Sequence, residues 1–445
     1  MNINIPDNLT PQAQELVRRL LDTRRQEVEA LSGLTDEQLF GSPMKEVEPA
    51  IWEMGHVGWF QEYWILRNLD QMPSVSTFAD NLYDSTIIRN KVRWDLTYPS
   101  RQKIHDYITE VLQLSIQRMA GRELSEKEVY FYRLVIDHED WHFETMMYIR
   151  HTLGYAYPPI SVVRQMAPEI DEHFELHDVE IPGGTFMLGA TPDHPSFVLD
   201  CEKWAHPVEV APFRISNTPV TTAHYQAFVE AGGYQAREYW SDEGWEWRQK
   251  AQAEHPVYWE READGSWTRR AFDQIVELKP YHPMMHVNFH EANAYCAWAG
   301  RRLPTEAEWE MAASAEPTAD GRGITTTKRL YPWGNDFPTE NHVNMNARAG
   351  GPIDVRALPA SDSAFGCRQM IGNIWEWTTD NLNPYPGFEI DPYEEYSEPS
   401  FGDKEKRVLR GGSWVTPSRV IRNTWRNFYD AHRNNLFVGF RTCAL

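Results

Sequence analysis

The chain has 445 residues, of which 41% are hydrophobic, and it carries a formal net charge of −22. This length allows two or three domains, and the acidic charge argues against a protein that binds nucleic acid or anionic membranes. Because no apolar run approaches the roughly 18 residues of a membrane helix, and residues 1–10 lack the pattern of a signal peptide, we expect a cytoplasmic protein.

The first third of the chain is predicted to be helical. From residue 11 to about residue 153 apolar residues recur at helical spacing. The predicted helices run over 12–31, about 49–68, about 101–120 and about 126–153. Four long helices suggest an up-and-down bundle, whose core is a usual place for metal sites.

The last of these helices carries a pair of histidines. His138 and His142 are four residues apart, so they lie on one face of a helix and can reach the same point. Neutral imidazoles bind iron, zinc or copper, although such a pair can also be an ordinary solvated face. His56 lies among apolar residues on the second helix, where a lone histidine would be a core residue; with the pair, it could complete a three-histidine site. Glu144 lies on another face, and we expect it to orient a ligand rather than to bind the metal.

Two motifs of the bundle resemble a known family. The residues at 55–60 (Gly-His-Val-Gly-Trp-Phe), followed by the His138-x3-His142-x-Glu144 pattern, resemble the DinB-like domain of the ergothioneine-type sulfoxide synthases. This resemblance implies that His56, His138 and His142 hold a non-haem Fe(2+). DinB-like bundles also occur in metal-dependent thiol transferases, so the second half of the chain must agree.

The loop between the second and third helices adds three candidate residues. The resemblance implies that this loop reaches the active site and carries an arginine that pairs with a substrate carboxylate. Arg89 has the better spacing from Tyr83, and Arg93 is the alternative; either arginine could instead be a surface charge. Tyr83 could donate a hydrogen bond in the pocket, or it could only pack there.

A change in the sequence pattern predicts the domain boundary. Residues 155–177 contain three prolines and lose periodicity, so we assign a bundle domain to 1–160, a linker to 161–178 and a second domain to 179–445. Glycine-rich turns and short strands follow, with a strand-turn-strand unit predicted at 181–189 and two strands within 206–221. A short helix is predicted at 290–299, and Thr305 with Glu308 predicts a capping box that begins another helix.

The second domain resembles the formylglycine-generating-enzyme fold, a sparse α+β module with a C-type-lectin-like core. The resemblance therefore implies an α + (α+β) protein, a DinB-like four-helix bundle followed by this module, which is the architecture of the sulfoxide synthases. Trp375, Trp377 and Trp414 are expected to serve the fold. The chain has four scattered cysteines without a C-x2-C pair, and none matches the copper-binding pair of formylglycine-generating enzymes, so we exclude that activity. The matching blocks lie at 301–310, 331–334, 372–378, 410–414 and 439–441.

The segment 426–433 resembles the substrate-binding stretch of the family. The resemblance implies that Asn427 faces the betaine substrate and that Arg433 faces a carboxylate of the donor. Phe428 and Tyr429, together with Trp141 of the bundle, are candidate aromatic walls for a trimethylammonium group.

Two departures from the best-known branch bear on the donor. That branch has an aspartate where Tyr429 stands, whereas Asp430 is one place later, which puts a glutamylcysteine donor in doubt. Leu382 occupies the position of a proton-donating tyrosine, so Tyr83 or Tyr429 is expected to replace it. The sequence around His138 and His142 and the segment 82–85 most resemble the selenoneine-synthase branch.

The resemblance therefore implies an iron(II)- and O2-dependent enzyme that joins a selenol or thiol donor to the imidazole C2 of hercynine. A selenosugar is the favoured donor, and the product is a selenoxide or sulfoxide. The residues are compatible with this chemistry, because three neutral histidines leave coordination positions open for two substrates and O2. The alternatives are a hercynine sulfoxide synthase that uses cysteine or γ-glutamylcysteine, an ovothiol-type enzyme, a zinc-dependent DinB-type thiol transferase, and a non-enzymatic ligand-binding protein.

Overall fold

The computed structural model describes residues 3–161, 168 and 170–445 and divides the chain into two compact units, Met1–Ser161 and Val162–Leu445. Within the described residues, no helix is long and apolar enough to cross a membrane. The first unit contains the four predicted long helices, which we label α1 (Pro11–Leu31), α2 (Ala50–Gln61), α3 (Arg101–Gln117) and α4 (Glu126–Thr152).

The bundle agrees with the predicted helices except at the end of the second one. There α2 continues as a π-helical turn, Glu62–Arg67, and then as a short α-helix, Asn68–Asp70. Over a single turn the spacing of apolar residues cannot distinguish the two hydrogen-bonding patterns, which is why the sequence predicted one regular helix. The smaller helical segments of this unit are Asp36–Phe40, Ala79–Tyr83 and the 3-10 helix Asn90–Asp95.

The centre of the bundle is α2, in which every residue is buried. A helix that is buried on all sides needs apolar or small residues all round, and its two glycines permit close approach of neighbouring elements. A Cβ atom on Gly55 would lie 2.1 Å from the ring of Tyr83, and one on Gly58 would lie 2.4 Å from Ile108 of α3. Glycine at these two positions therefore sets how closely the bundle packs around α2.

A buried arginine connects the helices of the bundle. Arg24 of α1 is fully buried, and its guanidinium lies 2.6 Å from a carboxylate oxygen of Glu139 on α4. It also donates to the carbonyl of Ile108 at 2.8 Å and to the side-chain oxygen of Gln61 at 2.9 Å. Because a buried charge is tolerated only when it is paired and hydrogen-bonded, these contacts specify how the four helices pack together.

The second unit confirms the predicted α+β module with many short strands. Their bounds are β1 Asp178–Ile181, β2 Gly184–Leu188, β3 His206–Val210, β4 Phe213–Ser216, β5 Trp259–Arg261, β6 Trp267–Ala271, β7 Gln274–Glu277, β8 Arg301–Arg302, β9 Ala315–Pro317, β10 Ile324–Lys328, β11 Trp375–Asn381, β12 Lys406–Arg410, β13 Asn427–Asp430, β14 Val438–Gly439 and β15 Cys443–Ala444. Strands β1, β4, β15 and β8 form one sheet in the order 1-4-15-8, and β11–β14 form another in the order 13-12-11-14. Strands β2 and β3 form a pair, as do β9 and β10, and β5–β7 form a three-stranded sheet. All pairings are antiparallel except that of β11 with β14.

The α-helices are α5 Thr222–Glu230, α6 Asp242–Ala251, α7 Phe289–Ala299 and α8 Glu306–Ser314. The 3-10 helices are Asp200–Glu202, Arg237–Tyr239, Pro359–Ser361 and Glu398–Ser400.

Several local predictions for this unit are confirmed. The capping box of Thr305 and Glu308 begins α8, and α7 ends before Gly300, which has the left-handed backbone conformation expected of a C-cap. Within 181–189 lie β2 and the last residue of β1, and β3 and β4 lie within 206–221, but β2 pairs with β3 whereas β1 pairs with β4. The two predicted units are therefore not hairpins, because the two strands of each unit join different sheets.

The predicted linker is only partly described, since residues 162–167 and 169 lie outside the described residues. Its later part packs on the second unit. Ile170 forms an isolated bridge with Ala357, and the guanidinium of Arg368 lies 3.9 Å above the ring of Phe174. The exact domain bounds given above stay a prediction.

The motif tryptophans are structural, as expected. Trp375, Trp377 and Trp414 are each at most 2% exposed. The indole of Trp377 donates to the carbonyl of Val287 at 2.9 Å, and that of Trp309 donates to Glu376 at 2.8 Å. Large buried rings with one satisfied polar atom hold together a unit that has little regular structure.

Buried ion pairs also serve this fold. Arg441, from the last motif block, lies 2.7 Å from Glu376 of β11, and both side chains are fully buried. Other buried pairs are Arg410 with Glu310, Arg422 with Glu202 and Arg426 with Glu306. Each guanidinium replaces the water it loses with a carboxylate and with backbone carbonyls, which makes its burial tolerable.

We expect Glu376→Ala to destabilise the second unit by about 3–5 kcal/mol, because it leaves the Arg441 guanidinium buried without its carboxylate. Glu246→Ala is the matched control, since Glu246 pairs with Lys250 on an exposed helix face and its loss should cost less than about 1 kcal/mol. Urea unfolding followed by tryptophan fluorescence measures both effects. Equal stability of the two variants would contradict this account of the buried pair.

Candidate metal centre

The structure brings the three predicted histidines together. His56 projects from α2, and His138 and His142 project from α4, and their ligand atoms all lie within 4.8 Å of one another. The Nε2 atoms of His138 and His142 are 3.2 Å apart. Among the described residues, this is the one cluster of at least three histidine, cysteine or acidic side chains with such a spacing.

Hydrogen bonds at Nδ1 set the orientation of two of these rings. His56 donates from Nδ1 to the backbone carbonyl of Tyr83 at 2.8 Å. His142 Nδ1 lies 2.5 Å from a carboxyl oxygen of Glu53, so the two groups are hydrogen-bonded. A proton held on Nδ1 leaves the lone pair of Nε2 free, which is the form of imidazole that binds a metal.

Burial keeps the imidazoles neutral. Desolvation lowers the pKa of His56 to about 3, with a further contribution from His142, and it lowers the pKa of His138 well below its usual value. His142 keeps 18% side-chain exposure, yet the surrounding protein lowers its pKa to about 3, and the charge of Arg93 contributes to this shift. At neutral pH all three rings are therefore free of extra protons and can act as ligands.

The cluster fits a bound transition metal ion. Two imidazole lone pairs that face each other at 3.2 Å repel one another unless a proton or a cation lies between them. Ligands about 2.1 Å from a metal and at right angles to each other lie about 3 Å apart, which matches this spacing. Three neutral nitrogen donors suit iron, zinc or copper.

Aromatic rings enclose the cluster. Trp52 stacks on His56 with ring centroids 4.4 Å apart, and Phe60 stacks on His138 at 3.5 Å. The predicted wall residue Trp141 is half-buried, with its ring 6.1 Å from that of His138. These rings restrict the positions that the imidazoles can adopt and keep water away from one side of the cluster.

Three supporting residues on α2 were not predicted from the sequence. Trp52 lies four residues before His56, Glu53 lies three before it, and Phe60 lies four after it. All three therefore share its face of the helix. We expected Glu144 to orient a ligand, whereas the structure gives this role at His142 to Glu53. Desolvation raises the pKa of Glu53 to about 8. The available signal was an acidic residue at helical spacing from a histidine inside an apolar segment.

Tyr83 lies in the core of the bundle. Its side chain is fully buried, its ring fills the space over Gly55, and burial raises the pKa of its hydroxyl. Within the part of the chain that the structure describes, this hydroxyl has no hydrogen-bond partner. The clearest contribution of Tyr83 to the cluster is therefore its backbone carbonyl, which holds His56.

The two candidate arginines have different surroundings. Arg93 is buried, its guanidinium lies 3.3 Å above the ring of Trp52, and it is paired with Glu48. Arg89 is exposed, and among the described residues it has no ion-pair partner. Arg93 thus acts on the cluster through Trp52 and through its charge, while the guanidinium of Arg89 is not engaged by a carboxylate of the first unit.

The other candidates lie in the second unit, where residues 427–430 form β13 and are half-buried. Asn427 accepts a hydrogen bond from the backbone of Phe428 at 2.8 Å, and Asp430 lies 2.8 Å from the ammonium of Lys406. The guanidinium of Arg433 lies 5.3 Å from the ring centre of Tyr429.

Leu382 is fully buried, and its backbone hydrogen-bonds with Lys406. At this position the chain therefore has a core side chain where a reactive one was expected from the best-known branch.

Family models match both units. The DinB superfamily model matches residues 19–147, and the model of the sulfatase-modifying factor enzyme 1-like domain matches residues 166–444. The chain is 35% identical to a hercynine oxygenase of Mycobacterium tuberculosis, over 89% of this chain and 90% of that protein. It is also 35% identical to hercynine oxygenases of Mycolicibacterium thermoresistibile, over 97% and 95% of the two chains, and of Mycolicibacterium smegmatis, over 96% and 98%.

The fold and the histidine cluster define a two-domain protein in which a DinB-type helical bundle with a candidate metal site precedes a sulfatase-modifying-factor-like domain. The hercynine oxygenases match almost the whole length of this chain, and they identify its family. The chain belongs to the hercynine oxygenase family and is an oxidoreductase.

We expect Glu53→Gln to weaken the affinity for Fe(2+) by about 10- to 100-fold, because an amide, unlike a carboxyl, cannot become negatively charged beside the Nδ1–H of His142 when a cation binds. Anaerobic competition with a chromogenic chelator measures this affinity without any turnover. Glu144→Gln is the control and should retain the affinity of the unmodified protein. A greater loss in the Glu144 variant would return the orienting role to that residue.

Proposed function

We propose that this protein is an iron(II)- and O2-dependent enzyme that joins a selenol or thiol to the imidazole C2 of hercynine. The observation that carries the proposal is the buried cluster of three neutral histidines, whose ligand atoms lie within 4.8 Å of one another. Relatives named hercynine oxygenase match this chain over most of its length, which supports hercynine as the acceptor. The substrates are small molecules, and we place the reaction in ergothioneine-type or selenoneine biosynthesis in the cytoplasm.

The proposed reaction is balanced with one O2. The C–H bond of the imidazole and the S–H or Se–H bond of the donor break, and a carbon–chalcogen bond forms. One oxygen atom ends in the sulfoxide or selenoxide, and the other leaves as water with the two hydrogens. The four electrons that reduce O2 come from forming the new bond and from oxidising the chalcogen.

The residues of the cluster have separate tasks in this proposal. Iron held by His56, His138 and His142 would supply the redox chemistry and acidify a bound thiol or selenol. Glu53 holds the proton on Nδ1 of His142, and the carbonyl of Tyr83 does the same for His56. The rings of Trp52 and Phe60 hold the imidazoles in position, and burial keeps them neutral.

Substrate contacts are proposed for residues of both units. Trp141, beside His138, and Phe428 offer aromatic faces that suit the trimethylammonium group of hercynine. Asn427 is the proposed polar contact to the betaine, and Arg89 or Arg93 the partner of its carboxylate. Arg433 and Asp430 are the proposed contacts of the donor.

We favour Tyr429 over Tyr83 as the proton donor. Tyr429 is half-buried on β13, with the Arg433 guanidinium near its ring. The hydroxyl of Tyr83 is enclosed in the core of the bundle. A proton donor must come within hydrogen-bond reach of the reacting atoms, and a half-buried side chain meets that condition more readily than one that fills a core position.

For the donor we propose a selenosugar, with cysteine and γ-glutamylcysteine as alternatives. The support is the sequence around His138 and His142 and the nature of two second-unit positions. Leu382 is a core residue, and Tyr429 stands where the cysteine-using branch has an aspartate, so neither position offers the group that this branch would require. An ovothiol-type enzyme acting on histidine is the less favoured alternative.

A zinc-dependent thiol transferase is the second candidate function, because three neutral imidazoles with open positions also suit zinc. Metal analysis and O2 consumption distinguish the two. A protein that retains zinc and consumes no O2 in the presence of hercynine and a donor would favour the transferase. A protein that retains no metal at all would favour a ligand-binding module.

The decisive experiment supplies donors in parallel. We expect the anaerobically iron-loaded protein, given O2 and hercynine, to convert a selenosugar at least tenfold faster than cysteine or γ-glutamylcysteine, with a selenoxide identified by mass spectrometry. His138→Ala should lose both the metal and the activity, whereas His224→Ala, in the second unit and outside the cluster, should retain both. Faster turnover of cysteine would reject the selenium assignment and keep the iron enzyme.

The tyrosine assignment predicts a difference between two conservative variants. Tyr429→Phe should lower the yield of coupled product per O2 consumed several-fold while iron affinity stays unchanged, because only the proton is lost. Tyr83→Phe keeps the backbone carbonyl that binds His56 and should couple as the unmodified protein does. Loss of coupling in the Tyr83 variant alone would reverse the assignment.

A further inference from the structure

The second unit contains a cavity to which no part of the proposed reaction is assigned. It has a volume of about 540 Å³ and lies beside the sheet formed by β5, β6 and β7. Residues 279, 282–286 and 349–352 also line the cavity. Pockets of 300–1,000 Å³ are typical of small-molecule sites. None of the candidate substrate residues of this unit, at 427–433, is among the lining residues.

An unusual arginine lines this cavity. Arg269 is half-buried on β6, and within the described chain its guanidinium has neither an ion-pair partner nor a hydrogen-bond acceptor. Its neighbour Arg270, on the opposite face of the strand, donates to the carbonyl of Phe272 and lies 4.5 Å above the ring of Tyr258. A guanidinium that is withdrawn from water normally has a carboxylate or carbonyl partner, so Arg269 is an exception in this molecule.

The electrostatics of the cavity are those of an anion site. Arg269 and Lys279 are both among its lining residues, against one lining carboxylate, that of Glu277. Lys279 and Glu277 are both exposed, so the half-buried Arg269 is the charge that the cavity encloses most. Burial lowers the pKa of His282 to about 4, and the positive charges of Lys279 and Arg269 contribute to this shift, whereas Asp354 opposes it. Two cations thus act on one neutral imidazole.

The carboxylates near the cavity do not cancel its charge. Asp354 is already paired with Arg356 at 2.8 Å. Desolvation lowers the pKa of Arg269 to about 10, so its guanidinium remains positively charged at neutral pH. The cavity is net positive, whereas the chain as a whole has a net charge of −22.

The remaining walls add shape and contact. Tyr258 and Trp259 line the cavity next to Arg269, and both rings are almost completely buried. His286 also lines it and has a positive φ of 65°, a backbone conformation that is uncommon outside glycine and is found at binding sites. A cavity with aromatic walls and one or two charged groups is the usual design of a site for a small organic ion.

We propose that this cavity binds a small molecule that carries a carboxylate or phosphate group, with Arg269 as the anchoring cation and Lys279 as a second positive group. The guanidinium fork matches the two oxygens of either group, and such bidentate contacts are the strongest hydrogen bonds available to a protein side chain. The aromatic walls would hold the uncharged part of the ligand. The site is separate from the histidine cluster in its residues and does not depend on iron.

Isothermal titration of the full-length protein tests this site with inorganic phosphate in one arm and glutarate in the other. We expect at least one of the two to bind with one site per chain, and we expect Arg269→Gln to weaken that binding by about 10- to 100-fold. Arg214→Gln, at an exposed position on β4, is the matched control and should bind as the unmodified protein does. The arm that responds identifies phosphate or carboxylate as the preferred group.

Thermal unfolding supplies a second readout that shows whether the variant is folded. Because Arg269 has no partner to lose among the described residues, Arg269→Gln should not lower the unfolding temperature in the absence of ligand. Addition of the responding anion should raise that temperature for the unmodified protein and for the Arg214 variant only. Absence of binding in both arms, or equal binding to the Arg269 variant, would overturn the proposal.

Discussion

The first unit depends on one constraint, namely that three imidazoles must be buried without being protonated. Burial by itself removes the extra proton, which is why the pKa values of His56 and His142 lie near 3. Burial also creates a cost, since each ring still has a polar Nδ1 that needs a partner. The carbonyl of Tyr83 and the carboxyl of Glu53 meet this need for two of the rings. The same contacts leave the Nε2 lone pairs free.

Much of the bundle follows from that constraint. The carbonyl of Tyr83 reaches His56 only because its ring can lie over Gly55, where any other residue would place a Cβ at 2.1 Å from the ring. Glu53 lies on the same helix face as His56, and the burial of every residue of α2 removes both side chains from water. Arg24 and Glu139 then pair in the core next to His138, so the charge network and the ligand helix are built together.

The second unit must maintain a single fold although its strands are short and its helices are few. Its family motifs are used for this purpose. Trp377 and Trp414 are buried rings, and Arg441 pairs with Glu376 in the core. The proposed contacts on β13 and the cavity next to Arg269 lie outside these motifs.

The four helices, the α+β second domain and the three histidines could be predicted from the sequence, because helical spacing and motif order are local properties. It did not predict the role of Glu53, the π-helical turn after α2, or the pairing of β1 with β4 and of β2 with β3. Those features depend on which residues meet after folding, and partners such as Glu53 and His142 are 89 residues apart. The folded chain alone shows that Glu53 orients His142, and that Arg269 has no ion-pair partner among the described residues, because burial and pairing arise only on folding.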